Sequence, residues 1–196
     1  MSEFTAIRAV SLTLRALLEE HITNSTDPQL AGVAIDLRSP KEMREANEAM
    51  GISLWLYRVT RNGHTLNQPP ERIAPNQLKP HPLPVNLYYL VTPITQNPED
   101  EQALLGRVLQ VLNDHVILRG SDLRDTLQGG TEELRLTLET LSLEELTRVW
   151  DALKESYQLS VPYLVQVVTI DSDHEPVQAG PVVVKETEYK HILSVT

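Results

Sequence analysis

The sequence predicts a mixed α+β fold, a single sheet of about five strands packed by two long helices and one short helix. Three observations lead there. Apolar residues recur at spacings of three and four in two long stretches, near the N-terminus and after Asn97. Runs rich in Val, Ile, Tyr and Thr lie between and after them. A helix-start signal, Ser142 with Glu145 three residues on, stands directly before a further run at helical spacing. At 196 residues one sizeable core suffices, and residues 1–196 are read as one domain.

Phe4, Ile7, Val10, Leu14, Leu17, Leu18 and Ile22 form the stripe of the first long helix, which stops before Asn24-Ser25-Thr26-Asp27-Pro28. Val33–Leu37 is a short strand ahead of Pro40, and the polar residues 41–50 suit a short helix or a loop equally. Ile52–Val59 is a strand. Asn62-Gly63 after it favours the positive φ of a two-residue hairpin, with a short return through Leu66. Six prolines between residues 69 and 84 exclude helix and central strand, leaving a stiff surface connection.

Asn86–Thr92 is the next strand, with Leu87, Tyr89 and Val91 on one face and Tyr88 and Leu90 on the other, both covered. Asn97 caps the second long helix, Pro98 takes its first position and Glu99 and Asp100 meet the positive end of its dipole. Leu134, Leu136 and Leu138 alternate with polar residues as a strand. Leu143, Leu146, Val149, Trp150 and Leu153 line the short helix, which feeds a buried strand through Val161–Asp171. Trp150 and Tyr163 are expected in one core beneath that helix. The segment 180–196 is β-prone yet charged, a C-terminal arm or an ordinary edge strand of the same sheet.

The composition narrows the chemistry. With no Cys, disulfides, thiolate metal sites and thiol nucleophiles are excluded. The 27 Asp and Glu against 17 Lys and Arg, a net charge of −10, disfavour nucleic acid. The first twenty residues lack a secretory-signal pattern, and no apolar run is long enough to span a bilayer, so direct membrane insertion is not expected. Basic spots at Arg38, Lys41 and Arg44, and at Arg58 and Arg61, suit an acidic protein partner or solvent.

No phosphate loop, dinucleotide fingerprint, zinc-protease helix or nucleophile elbow occurs. Gly51-Ile52-Ser53-Leu54-Trp55 lacks the second glycine of an elbow. Asp171-Ser172-Asp173-His174-Glu175 starts like a calcium loop but fails at Pro176, where glycine makes the sharp turn, and reads as a solvated turn. The six histidines show no ligand spacing, and Trp55, Tyr57, Tyr88 and Tyr89 suit a core or a protein interface better than base stacking. No catalytic residue, metal ligand or cofactor is assigned, and the chain is read as a non-enzyme.

The order "LSLEELTRVWDAL", a Tyr, then "LSVPYLVQVVTIDS", with "GISLWLYRVTRNGH" from Gly51 and "LPVNLYYLVTPI" from Leu83 upstream, resembles the cap or tail-terminator proteins of extracellular contractile injection systems, the phage-tail-like particles. The match runs over most of the chain. The resemblance implies a structural protein forming a ring, a homo-hexamer, on the end of the inner tube and anchoring the last sheath ring, with the tube and sheath proteins as partners and a cytoplasmic location within the assembled particle. Some relatives carry an additional C-terminal part, and roles of that part are not expected of these residues. Sheath subunits in such particles exchange strands, which makes Val182, Val183, Val184, Tyr189 and Ile192 candidate interface residues in the C-terminal arm. The other reading is a peptide- or protein-binding adaptor using a sheet edge and the Pro-rich connection.

Overall fold

The computed structural model describes residues 4–46, 50–63, 71–74, 76–178 and 180. In chain order its elements are α1 (Ala6–Leu18), β1 (Ala34–Asp36), α2 (Pro40–Glu45), β2 (Gly51–Arg61), β3 (Arg72–Ala74), β4 (Gln77–Leu78), β5 (Leu83–Ile94), α3 (Pro98–Asp114), β6 (Ile117–Arg119), β7 (Glu133–Leu138), α4 (Leu143–Leu153), β8 (Val161–Ile170) and β9 (Val177–Gln178). Helix α1 runs on through a π-helical turn, Glu19–Thr23, that carries Ile22 into the core.

Two sheets result among the described residues. The main one has six strands in the order β1-β2-β5-β8-β7-β6, with β1 parallel to β2 and every other pair antiparallel. The second is small, β3-β4-β9, and ties the Pro-rich connection to the segment after Asp171. The fold is a mixed α/β one with a curved sheet. One sheet of about five strands is therefore corrected to six plus three, because β6 and the two-residue strands are too short to show a hydrophobic period.

The helix count changes as well. Helix α2 joins the three expected, and it was legible: Ser39 and Glu42 form a capping box, with Pro40 at the first position. Ser142 and Glu145 do the same for α4, the serine N–H donating to the carboxylate at 2.9 Å. Asn97 accepts from the Glu99 N–H to start α3. Phe4 falls outside its predicted stripe, lying before α1 and 83% exposed.

The sheet divides the core. On one face α1 and α3 cover Leu54, Val85, Leu87, Tyr89, Val91, Leu134, Leu136, Tyr163 and Val165. On the other, α4 lays Leu146 and Trp150 over Leu90, with Trp55, Tyr57 and Val149 beside them. Leu90 pairs with Pro162 and Tyr89 with Tyr163, so the side chain of Tyr163 belongs to the α1–α3 face. Contrary to the expectation from sequence, Trp150 and Tyr163 do not share one core. Each is buried, in a different layer, because neighbouring positions on β8 point to opposite faces.

Proline in central strands is the other correction. Pro84 lies in β5 and Pro162 in β8, both flanked on two sides. The Asn62 N–H donates to the Pro84 carbonyl just beyond the end of β2, and the Glu139 N–H to the Pro162 carbonyl just beyond the end of β7. In a strand the N–H and C=O of one residue point the same way, so each missing N–H faces a place where pairing has already stopped.

The connection 120–128 is docked onto α1. Arg8 pairs with Asp125 at 2.8 Å, the Arg124 N–H donates to Thr13 Oγ1 and the Thr5 and Thr126 hydroxyls meet at 3.0 Å. Leu123 and Leu127 close the core beneath it.

Candidate protein-contact surfaces

The residues singled out for catalysis or metal binding are occupied otherwise. Ser53 is fully buried and its hydroxyl donates to the Arg38 carbonyl at 2.7 Å. Asp171 pairs with Lys79, and the His174 N–H donates to Ser172 Oγ, as in a local turn. His21 and His115, read as isolated, are neighbours, their rings 4.8 Å apart between the end of α1 and the end of α3. Among the described residues no group of three or more His, Cys, Asp or Glu is placed to hold a metal ion. No described helix is long and apolar enough to cross a membrane.

What the fold offers instead is surface for other chains. The candidate interface residues Val182, Val183, Val184, Tyr189 and Ile192 lie outside the described residues. So does the return through Leu66. The described antiparallel partner of β2 is β5, far along the chain.

Strand β2 carries the surface best defined by its geometry. Its inner end, Gly51–Ser53, pairs with β1. From there it continues to Arg61 with β5 as its one neighbour among the described strands. Between Leu56 and Arg58 the register slips by one residue, a bulge that brings Tyr57 and Arg58 toward the same face. On that face Trp55 and Tyr57 lie with ring centres 6.0 Å apart, Tyr57 meets Tyr88 edge-on at 6.4 Å, and the Arg58 guanidinium sits 5.0 Å over the Tyr88 ring. Burial pushes the Tyr57 phenol above its ordinary range, and nearby Arg58 opposes that. The chemistry is adhesive: flat apolar area, two phenols and a cation. The aromatics and the Arg58–Arg61 spot were visible in the sequence, whereas their assembly depends on the bulge.

A second surface is the groove between α3 and the outer strands, about 420 Å³, lined by Leu109, Leu112, Val116, Leu136, Leu138 and Tyr163 among others. Leu138 and Val116 are about half exposed at its rim. Burial raises the Tyr163 phenol.

These surfaces sit on a fold with known counterparts. The sheath/tube terminator of the extracellular contractile injection system PVC, in its extended state, superposes with a TM-score of 0.66 over 97% of this chain and 65% of that one, at 19% identity. The tube-terminating cap of the anti-feeding prophage gives 0.60, over 92% of this chain and 60% of that one, at 18% identity. The chain thus spans just under two thirds of each. Among curated proteins none matches. The sequence pattern described as the Pvc16 N-terminal domain matches residues 9–184, nearly the whole length, and the chain belongs to that family.

Proposed function

We propose that this protein is a structural cap, ending the inner tube of a contractile injection particle and anchoring its last sheath ring. The observation that carries the reading is the family match over residues 9–184, with a fold that follows two tube terminators over nearly the whole chain. The work of such a protein is steric and adhesive. A polymer end exposes unpaired interfaces, and a cap binds one while presenting no equivalent surface to the next subunit. A chain of net charge −10 adds repulsion against further stacking.

In this reading residues 1–196 act as one cap-like domain, six copies close a ring and the tube and sheath proteins of the same particle are the partners. A closed ring has no free lateral interface, so weak subunit contacts suffice. The segment 180–196 is the arm that joins the sheath by strand addition. The location is cytoplasmic, within the assembled particle.

Deleting the protein from a producing cell tests this directly. Particles of uncontrolled length, or sheaths that detach or contract early while baseplates remain, are expected by electron microscopy. Complete particles of normal length that still fire would end the cap reading. Size-exclusion chromatography with light scattering, with and without tube and sheath proteins, tests the ring.

A further inference from the structure

Among the described residues, strand β2 is paired on both sides only at its inner end. Strand β1 covers Gly51–Ser53, and from Trp55 to Arg61 no described strand lies on that side. The direction of the free groups follows from one hydrogen bond. The Asn62 N–H donates to Pro84 of β5, so by alternation Thr60 also faces β5 while Val59 and Arg61 turn their N–H and C=O outward. Val59 is 45% exposed.

The side chains along this edge have one sign. Arg58 and Arg61 are both exposed, and neither forms an ion pair among the described residues. They lie opposite Tyr88 and Val85, so they stand on opposite faces of the sheet. Bulges and charges are the usual protection of an open edge. Here both charges oppose the sign of the chain and flank half-buried aromatic rings, which suits a partner of opposite charge better than mere repulsion of copies.

We propose that the outer edge of β2, Trp55–Arg61, accepts an extended acidic segment of another protein as an added strand. Main-chain bonds run to Val59 and Arg61, one carboxylate meets Arg58 on the aromatic face and another, three residues away along the added strand, meets Arg61 on the opposite face. The inference does not rest on the cap reading, since it concerns the isolated chain and an unattached peptide.

The test uses the purified full chain and labelled ten-residue peptides of alternating Val and Thr, bearing two Glu or two Lys three positions apart, followed by fluorescence anisotropy. The Glu peptide should bind about tenfold more tightly than the Lys peptide at low salt, from two exposed ion pairs, with the gap closing as salt rises. Val59→Pro removes an outward N–H without touching the β2–β5 ladder and should abolish binding. If that variant misfolds by circular dichroism, the exposed pair Arg58→Glu with Arg61→Glu should invert the preference toward the Lys peptide. Equal binding of the two peptides, or unchanged binding by a folded Val59→Pro variant, overturns the proposal. Tighter binding of a peptide spanning residues 181–193 than of the Glu peptide would assign the edge to this chain's own segment and overturn it too.

Discussion

Tyr89 and Leu90 are neighbours on β5, yet the first packs under α1 and the second under α4. The Tyr89 phenol reaches Ser11 Oγ at 2.8 Å, while Ser11 donates to the Ile7 carbonyl at 3.2 Å. With that serine proton committed, the phenol is the donor of the pair. The bond pins α1 to the centre of the sheet.

Removing either partner is therefore unequal. Tyr89→Phe loses one buried bond and leaves Ser11 its contact with Ile7, a cost of about 1 kcal/mol. Ser11→Ala leaves a buried phenol with no acceptor, and the cost rises toward about 3 kcal/mol. Urea unfolding of the two variants distinguishes them.

Burial also raises the Tyr89 phenol above its ordinary 10.0, with the Ser11 hydroxyl beside it opposing the rise. The folded state holds that proton more tightly than the unfolded one. This contribution is full below pH 10 and is lost as the pH climbs toward the raised folded value. Stability measured against pH should fall above 10, and less steeply in Tyr89→Phe. Burial raises Tyr57 and Tyr163 as well, so a residual slope remains.

Trp150 is 1% exposed, packs on Leu90 and Leu146, meets the Tyr157 ring edge-on and donates its indole N–H to Ser160 Oγ at 3.1 Å. Trp150→Ala should cost about 3–5 kcal/mol in denaturant unfolding. Because Tyr163 lies in the other layer, Tyr163→Ala should add to it within about 0.5 kcal/mol. A coupling well above that would place both in one packed cluster.

The two ends of α4 respond in opposite directions. Ser142→Ala removes the cap and should cost about 1 kcal/mol. Lys154 closes the helix at φ 57°, in the left-handed region. Lys154→Gly should raise stability by up to about 1 kcal/mol, seen as a higher thermal midpoint. The Glu145 carboxyl is held below its usual range by the Ser142 N–H and hydroxyl, so its contribution is present above pH 4.5 and fades as the pH falls through the lower folded value. Glu145→Gln should flatten the acid limb.

Removing residues 181–196 tests the arm. The described buried core ends at Val168, so cooperative unfolding should survive while attachment to sheath weakens. Outright unfolding of the truncated chain would place the segment in the domain's own sheet.

Helix starts were readable because their determinants are local. Ser142 with Glu145, and Asn97 with Pro98, satisfy free N–H groups within three residues, and the Ser39 and Glu42 box of α2 carried the same signal unread. The faces of β5 followed from alternation, with Leu87, Tyr89 and Val91 on one and Leu90 on the other. The family was legible too, from several motifs in order. Alternation gives a period of two but not which face meets which helix, so Tyr163 was set under α4 when its register with Tyr89 puts it under α1 and α3. Pro84 of β5 and Pro162 of β8 are tolerated because β2 and β7 stop where they do, which no local pattern records. The edge of β2 that no described strand covers has the same origin. Arg58, Arg61 and the aromatics were visible in the chain, but the three-residue reach of β1 and the bulge at Tyr57 that set them together come from pairings between distant segments.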